Sequence, residues 1–257
     1  MRGVGFWSAT LGIVPTPVPP CDWDFPDPRT AGRDGLVAVG ADLSPPTLIH
    51  AYRNGIFPWP HGRRDKLPWF SPDPRAILAL DKLHVAKSLR QRLRRSGWEA
   101  TVDGAFAEVI AACAHPHGDD GTWISPAMRA AYIELHRLGW AHSVEIWDGS
   151  RLVGGLYGIL VGGVFTGESM FHHSTDGSKV AVVELVARMQ EAGGAFVDVQ
   201  LPTAHLASLG AIAIARGLFL ELLHECRDDS IELIAERRPV ARLAGHQSVG
   251  FGHESLP

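Results

Sequence analysis

The chain has 257 residues, 46% of them hydrophobic, which is enough to bury a substantial core in one large domain or two smaller ones. Its formal net charge of −4 excludes a protein that coats nucleic acid through a broadly basic surface, so any contact with a polyanion must be local. Cys21, Cys113 and Cys226 are odd in number and far apart, which indicates neither a disulfide framework nor a thiolate zinc site and favours a reducing compartment.

Residues 1–24 are predicted to be an N-terminal extension that ends in a proline-rich linker. The stretch VPTPVPP at 14–20 cannot form a helix or a central strand, because proline lacks an N–H group and restrains the residue before it. The apolar stretch near the start is short and broken, which leaves a secretory signal as a minor alternative, and no apolar run approaches the ~18 residues of a membrane span. We therefore expect a cytoplasmic protein without a membrane partner.

Residues 25–75 are predicted to form a small N-terminal domain. In GLVAVGADLSPPTLIHAYRNG, a short strand precedes a helix that begins after Ser44, has prolines in its first turn and ends at Gly55. The segment 55–78, GIFPWPHGRRDKLPWFSPDPRAIL, sets two Trp and two Phe among four cations. Such a segment is either a proline-bent wall of the core or a platform that stacks a ring-bearing anion such as a nucleotide. The four cations are Arg63, Arg64, Lys66 and Arg75.

Residues 76–236 are predicted to form a larger α+β domain, in which a meander of strands is followed by a helix and then by another strand and helix. Three of the strands lie in HSVEIWDGSRLVGGLYGILVGGVFTGESMF and are joined by turns at Asp148-Gly149 and Gly162-Gly163. By analogy alone, this order fits a GNAT-like acyltransferase fold, with a mixed, mainly antiparallel sheet flanked by helices. Residues 237–257 are predicted to be a loose polar tail.

Two helices of this domain have clear start signals. SPAMRAAYIELHRLG is predicted to be capped by Ser125 and to end before Gly139, and SKVAVVELVARMQEAGG is predicted to be capped by Ser178. The segment AFVDVQL follows as a strand, and RGLFLELLHE is predicted to be the last helix.

The segment from Lys82 to Arg95 contains six Lys or Arg residues and no acid. As a helix, it places Ala86, Leu89 and Leu93 on one face and the cations on the other. A solvated face is the ordinary interpretation, but phosphate binding is favoured where aromatic side chains lie nearby, because bases stack on them at ~1–3 kcal/mol each. The aromatic residues that supply this context are Trp59, Trp69, Phe70 and Trp123. A short stretch of single-stranded RNA would fit both features.

The strand FVDVQL places Asp198 and Gln200 on one face of an otherwise apolar segment. A buried carboxylate must be hydrogen-bonded or lie in a polar cleft, so Asp198 is either a structural residue or part of a functional site. In FTGESMF, Gly167 permits close approach of a ligand to Glu168, although an ordinary strand glutamate fits as well. A nucleophile elbow is disfavoured because Phe171 stands where its second glycine is needed. No histidine cluster has a metal-binding spacing, so no metal is expected.

Six segments of the chain, taken together, carry a likeness to a known family. They are GLVAVGADLSPPTLIHAYRNGIFPW, WFSPDPRAIL, GTWIS, HSVEIWDGSRLVGGLYG, FTGESMF and DVQLPTAHLASLGA. They occur in this order from about Phe25 to Leu223, and several independent blocks are far more specific than any single motif. Together they closely resemble the bacterial leucyl/phenylalanyl-tRNA–protein transferases.

The resemblance implies transfer of Leu, Phe and, to a lesser extent, Met from aminoacyl-tRNA to proteins whose N-terminal residue is Arg or Lys. This peptide-bond formation marks the acceptor for degradation in the N-end rule pathway. The resemblance also implies a small N-terminal domain followed by an acyltransferase-like domain. No cofactor is implied, and we expect a monomer whose partners are the aminoacyl-tRNA and the acceptor protein.

The resemblance further assigns site residues, position by position. Trp59 in FPW and Trp123 in GTWI match residues that hold the 3′-terminal adenosine, and Glu168, Asp198 and Gln200 match the reaction centre. The positions that resemble the aminoacyl side-chain pocket are Leu156, Phe165, Ser169, Met170, Val182, Leu185 and Val197. The positions that match the basic helix receiving the acceptor stem are Lys87, Arg90, Arg94 and Arg95. Leu156 and Leu185 stand where relatives are expected to carry Met and Phe, so the preference among the three amino acids is not fixed by the sequence.

An aminoacyl ester is already activated, so the reaction needs alignment and proton transfer rather than ATP, a metal or a covalent nucleophile. We expect Asp198 to polarise Gln200, whose oxygen accepts a hydrogen bond from the incoming amine, and Glu168 to hold the cationic side chain of the acceptor. Two alternatives remain. A CoA-dependent N-acyltransferase is disfavoured by the single glycine in HHSTDGSKVAVVEL, where a pyrophosphate loop is glycine-rich. A non-catalytic RNA-binding module does not account for the polar pair beside an apolar pocket.

Overall fold

The computed structural model describes residues 14–60, 66–115 and 122–245. The helices in these ranges are α1 (Pro45–Arg53), α2 (Lys87–Arg95), α3 (Phe106–Cys113), α4 (Pro126–Arg137), α5 (Gly177–Glu191), α6 (Ala204–Ala207) and α7 (Arg216–Cys226). The strands are β1 (Leu36–Val39), β2 (Phe57–Pro58), β3 (Pro68–Phe70), β4 (Arg75–Ala79), β5 (Glu99–Val102), β6 (Ala141–Asp148), β7 (Arg151–Val161), β8 (Val164–His172), β9 (Phe196–Gln200), β10 (Ile212–Ile214) and β11 (Arg238–Pro239). None of the helices described is long and apolar enough to cross a membrane.

Some of the sequence-based predictions concern positions outside the described residues. These are the first 13 residues of the N-terminal extension, the cations Arg63 and Arg64, and the last part of the tail, residues 246–257.

The described strands form two sheets. The smaller sheet has the order β1-β3-β2, and the larger one has the order β10-β4-β9-β8-β7-β6-β5-β11. Neighbouring strands pair antiparallel throughout, except for β8 and β9, which pair in parallel. The predicted α+β class is therefore confirmed: a small N-terminal unit is joined to a mixed, mainly antiparallel sheet flanked by helices.

The two faces of the larger sheet carry different cores. On β7, Leu156 belongs to the core beneath α5, whereas its neighbour Tyr157 belongs to the core shared by α1, α3, α4 and the smaller sheet. The start of α5 lies directly against β7, since a Cβ on Gly154 would stand 2.5 Å from the carbonyl carbon of Gly177. Because the smaller sheet shares a core with the larger one, the predicted domain boundary between residues 75 and 76 stays a prediction.

The elements with local start and turn signals were predicted well. The helix after Ser44 and the helix capped by Ser125 are α1 and α4, and the Ser125 side chain accepts a hydrogen bond from the Met128 amide. The two predicted turns join β6, β7 and β8. Glycine at Gly149 and Gly162 suits the positive φ that each turn requires.

Two local predictions are wrong, and one helix was missed. Ser178 does not cap α5, because Asp176 occupies that position at φ 71° and Ser178 is buried within the first turn. Ala86 precedes α2 and is exposed, so only Leu89 and Leu93 form the buried face of that helix. Helix α3 was not predicted at all. It is a short segment of eight residues, and its sequence offers no side-chain cap at Ala105.

The expectation of a loose tail is wrong for residues 237–245. Strand β11 pairs with β5, and a 3-10 helix over Val240–Gly245 contacts α2 and α5. Val240, Leu243 and Ala244 are buried in the core beneath α5. These apolar positions span less than two helical turns, which is too short for a recognisable hydrophobic period.

Buried Glu145 on β6 leads to a first prediction. Burial is the largest cause that raises the pKa of Glu145 to about 7, and hydrogen bonds from Ser143 and Thr101 oppose it. A raised folded-state pKa stabilises the fold below the unfolded value and loses that contribution as pH rises towards the folded value. We therefore expect the free energy of unfolding to fall by about 2–3 kcal/mol from this group between about pH 5 and pH 8.

Urea unfolding at both pH values checks this. Glu145→Gln should make the free energy of unfolding less dependent on pH. Glu134→Gln is the matched control, because the Glu134 side chain is exposed, and it should leave the pH dependence unchanged. An equal pH dependence in the unmodified protein and in Glu145→Gln would contradict the assignment.

Candidate active site

A cavity of about 170 Å³ brings four of the predicted site residues together. Its lining comprises Phe57, Pro58, Trp59, Trp123, Glu168, Gln200 and Leu201. Two indole rings and two polar side chains, from four distant parts of the chain, therefore border one hollow. A larger open cavity of about 390 Å³ lies elsewhere, between residues 24–29 and the ends of α1 and α7, and none of the predicted site residues line it.

The Pro-rich aromatic segment forms a wall of the core, and its alternative use as a stacking platform stays a prediction that now concerns Trp59. Trp69 and Phe70 on β3 are buried in the core, so they cannot stack an exposed base. Trp59 follows β2, is half-buried at the cavity and meets the Phe70 ring edge-on, with 5.8 Å between ring centroids. Its backbone N–H donates to the Pro68 carbonyl at 3.1 Å. The core wall thus holds Trp59 in place.

Glu168 lies at an irregularity in the pairing of β7 and β8. Gly158 pairs with Gly167 and Tyr157 with Ser169, so the strand bulges at Glu168. A bulge of this kind redirects a side chain and is frequent beside active sites. It turns Glu168 towards α4, where the Tyr132 hydroxyl donates to Oε2 at 3.0 Å.

The environment of Glu168 changes its acidity. Burial is the main cause that raises the pKa of Glu168 to about 7, hydrogen bonds from Tyr52 and Tyr132 lower it, and the charge of Asp198 raises it further. Gln200 Nε2 donates to Glu168 Oε1 at 2.8 Å. Glu168 is therefore a carboxyl group that changes charge near neutral pH at the edge of a cavity.

Asp198 lies beneath the cavity rather than in its wall. It is 1% exposed, and Arg75 donates to it through Nε at 2.8 Å and Nη2 at 2.6 Å. The Thr166 hydroxyl and the backbone N–H of Gln200 also donate to the Asp198 carboxylate, at 3.2 and 2.9 Å. Asp198 and Gln200 are therefore joined through the backbone of Gln200 and not through its side-chain amide, which corrects the expected polarisation.

Gln200 ends β9 in a left-handed backbone conformation with φ of 63°. For a residue other than glycine, such a conformation costs about 1–3 kcal/mol and persists only where the surroundings impose it. In the described part of the chain, the Gln200 side chain donates to Glu168, and no hydrogen bond to its Oε1 is found. That oxygen is available as an acceptor beside the cavity.

The predicted aminoacyl pocket residues fall into two groups. Ser169 hydrogen-bonds the thiol of Cys113 on α3, on the face of the sheet opposite to α5. The residues on the α5 side are Leu156, Phe165, Val182, Leu185 and Val197, which are buried in one core, and Met170, which packs against it half-buried. None of these residues lines the cavity at Trp59.

The predicted tRNA-binding cations lie on α2. Lys87, Arg94 and Arg95 are exposed there. Arg90 is half-buried, and its guanidinium donates to the carbonyl groups of Val85 at 3.1 Å and Ala244 at 3.4 Å. The exposed members can meet a polyanion, whereas Arg90 connects α2 to the 3-10 helix that follows β11.

Sequence reasoning did not assign Tyr52, Tyr132, Phe57 or Arg75 to the site. The two tyrosine hydroxyls are hydrogen-bonded to each other and connect α1 with Glu168 through α4. Phe57 stands beside Trp59 in the same motif, so its proximity could have been found. Nothing in the sequence around Arg75 or the tyrosines signals their partners. Among the described residues, no three His, Cys, Asp or Glu side chains are grouped as metal ligands.

The chain is similar to known proteins over most of its length. Residues 77–224 match the family model for leucyl/phenylalanyl-tRNA protein transferase, and residues 41–73 match the model for the N-terminal domain of that family. The leucyl/phenylalanyl-tRNA–protein transferase of Stutzerimonas stutzeri is 52% identical over 205 residues, which covers 79% of this chain and 90% of the relative. The transferase of Nitratidesulfovibrio vulgaris is 51% identical over 203 residues, with 78% and 86% covered.

A third relative and one solved structure complete the comparison. The leucyl/phenylalanyl-tRNA–protein transferase of Shewanella baltica is 46% identical over 211 residues, with 81% of this chain and 89% of the relative covered. The solved structure of L-PGS from Bacillus licheniformis is 11% identical, with a TM-score of 0.38, and covers 58% of this chain and 48% of that one. This structural likeness is too low to support an argument.

Proposed function

The chain belongs to the leucyl/phenylalanyl-tRNA–protein transferase family and is an aminoacyltransferase, and from this we propose that it transfers Leu, Phe and, to a lesser extent, Met to the N-terminal Arg or Lys of acceptor proteins. The acceptors are then degraded in the N-end rule pathway. The observation that carries the proposal is the single cavity that joins Trp59 and Trp123 to Glu168 and Gln200.

The two tryptophans are proposed to hold the terminal adenosine of the tRNA. Stacking of a base on an aromatic ring contributes about 1–3 kcal/mol and does not depend on hydrogen bonds to the base. Trp59 is fixed by Phe70 and by the β3 backbone, so little side-chain freedom is lost on binding. The ester carbon of the aminoacyl group is then held beside the polar side of the cavity.

Gln200 and Glu168 are proposed to receive the acceptor. The α-amine of a free N-terminus has a pKa of about 7.7–8.0, so it must lose a proton before it attacks the ester. Gln200 Oε1 accepts a hydrogen bond from that amine and aligns it, while the ionised Glu168 holds the cationic side chain of Arg or Lys. The neutral amine nitrogen bonds to the ester carbon while the ester C–O bond breaks, and the proton that the nitrogen then gives up passes to the departing ribose oxygen of the tRNA.

The remaining assigned residues are proposed to select and hold the tRNA substrate. The apolar residues beneath α5 form the walls that select the aminoacyl side chain, and such walls discriminate by only about 1–3 kcal/mol per methylene. Ser169 lies on the opposite face of the sheet, against Cys113, so it can act on this selection only through the strand it shares with Met170. Lys87, Arg94 and Arg95 bind phosphates of the acceptor stem, so binding weakens as salt rises. Arg90 supports the position of that helix.

The direct test is transfer of radiolabelled Phe from charged tRNA to a peptide that begins with Arg, with the same peptide beginning with Ser as control. Transfer to the first peptide alone is expected. Transfer of an acetyl group from acetyl-CoA instead would favour the CoA-dependent alternative. Binding of tRNA without any transfer would favour the RNA-binding module, and either result would refute the proposal.

Trp59→Ala gives a second prediction. Loss of one stacking surface should weaken binding of puromycin, an aminoacyl adenosine analogue, by about 10- to 100-fold. Calorimetric titration measures this without relying on tryptophan fluorescence. Trp147→Ala is the matched control, because its indole lies on β6, where its Nε1 donates to Thr101 and Arg237 stacks over the ring. Equal affinity in the two variants would remove Trp59 from the adenosine site.

A further inference from the structure

Arg75 is a fully enclosed charged group near the cavity. It begins β4, is 1% exposed, and directs its fork at both oxygens of Asp198. Its third nitrogen, Nη1, donates to the Gly55 carbonyl at 3.2 Å. All three guanidinium nitrogens are therefore hydrogen-bonded.

Two aromatic rings contact the same guanidinium. Its central carbon lies 4.8 Å from the ring centroid of Phe57 and 4.4 Å from that of Phe219. Phe57 lines the cavity two residues before Trp59, and Phe219 belongs to α7. One side chain thus contacts the strand that precedes the stacking tryptophan, the strand that ends at Gln200, and the helix behind them.

The bonds to Asp198 determine what that carboxylate can do. A carboxylate accepts about four hydrogen bonds, and Asp198 receives them from Arg75, Thr166 and the Gln200 amide. No oxygen of Asp198 is left to accept a proton from an attacking amine. Asp198 instead accepts a hydrogen bond from the backbone N–H of Gln200 and so holds Gln200 in its strained conformation.

We propose that Arg75 is a positioning residue for aminoacyl transfer. Its guanidinium orients Asp198, and Asp198 fixes the left-handed backbone of Gln200, so that the side-chain amide of Gln200 faces the cavity between Glu168 and Trp59. The inference rests on the proposed function, because it supplies the alignment that the proposed reaction needs. An amine displaced by a fraction of an ångström from the ester carbon reacts far more slowly.

If the ion pair between Arg75 and Asp198 were only structural, its loss would have different effects on rate and affinity. Loss of a structural pair lowers the amount of folded protein, and with it substrate affinity and rate together. Loss of a positioning residue lowers the rate at saturating substrate while the affinity of the adenosine site remains. It also frees the backbone N–H of Gln200 to exchange its hydrogen with solvent. Loss of a pair that only stabilises the core would not accelerate exchange selectively at this one position.

The test is Arg75→Lys, which keeps the charge but loses the two-pronged contact. At saturating Phe-tRNA and Arg-starting peptide, we expect the single-turnover rate to fall about 10- to 100-fold, with puromycin affinity largely unchanged. Hydrogen exchange should accelerate at the backbone N–H of Gln200. Arg188→Lys is the matched control, since Arg188 forms a buried pair with Glu184 on α5, away from the cavity.

Each outcome decides the inference. A rate in Arg75→Lys equal to that of the unmodified protein, or a rate and a puromycin affinity that fall in proportion, would overturn it. If Arg75→Lys does not fold, the apolar pair Arg75→Met with Asp198→Leu replaces it, because exchange of both members of a buried pair often preserves stability. That double variant should be folded and slow; a folded variant with full rate would also overturn the inference. Absence of transfer by the unmodified protein refutes the proposed function instead.

Discussion

Replacing Asp198 with alanine is expected to lower the free energy of unfolding by about 3–5 kcal/mol and to reduce aminoacyl transfer by about 100-fold or more. The stability loss follows from Arg75, which would remain buried at 1% exposure without its counter-charge. The loss of rate follows from Gln200, whose backbone N–H would lose its acceptor and whose strained conformation would no longer be imposed.

Urea unfolding and single-turnover transfer measure the two effects separately. Asp148→Ala is a matched control, because Asp148 forms an ion pair with Arg151 at the surface and should change neither quantity noticeably. Asp198→Asn keeps an acceptor for the Gln200 amide and should be intermediate in both. Unchanged stability of Asp198→Ala would show that Arg75 finds another partner, and unchanged transfer would remove Asp198 from the alignment of Gln200.

The same pair shows where sequence reasoning reached its limit. The strand FVDVQL and the buried position of Asp198 follow from alternation and apolar neighbours. The partner of Asp198 lies 123 positions away, and no local pattern around Arg75 distinguishes it from the other cations of its segment. Long-range pairing depends on how β4 and β9 come together, which the sequence around either residue does not encode.

The helices and turns also differ in how well their sequences predict them. Helix α4 and the turns between β6, β7 and β8 were predicted from a serine cap and paired glycines, because those signals act over a few residues. Helix α3 and the 3-10 helix over Val240–Gly245 are stabilised by burial against distant elements, so their sequences alone give weak signals. The bulge at Glu168 is likewise set by the pairing of two strands.

The cavity residues were assigned through likeness to a family, and their roles in the reaction stay predictions. Trp59, Trp123, Glu168 and Gln200 line one hollow, which is the proximity that the proposed reaction needs. The tyrosines behind Glu168 could not have been chosen from sequence, because Tyr132 is one of many helical residues and only its contact with Oε2 distinguishes it.

Glu168→Gln is expected to reduce transfer to Arg-starting peptides by at least about 30-fold, because truncating one partner of an enclosed charge pair costs about 2–5 kcal/mol. Transfer to a peptide that begins with citrulline, a neutral analogue of arginine, should change little in the same variant. We therefore expect selection between the two peptides to depend on the charge of this carboxylate. The exposed exchange Glu108→Gln on α3 is the control and should leave the selection intact.

The pH dependence provides the sharper measurement, since burial raises the pKa of Glu168 to about 7. Below that value the carboxyl group is protonated and cannot pair with a cation, so the affinity of an arginine side chain should weaken as pH falls through about 7. An arginine-starting peptide without its α-amine isolates this effect, because it binds as an inhibitor and cannot itself change charge at the amine. Its inhibition constant should rise about tenfold per pH unit below about 7 in the unmodified protein and stay level in Glu168→Gln. The same pH dependence in both proteins would show that another group holds the acceptor.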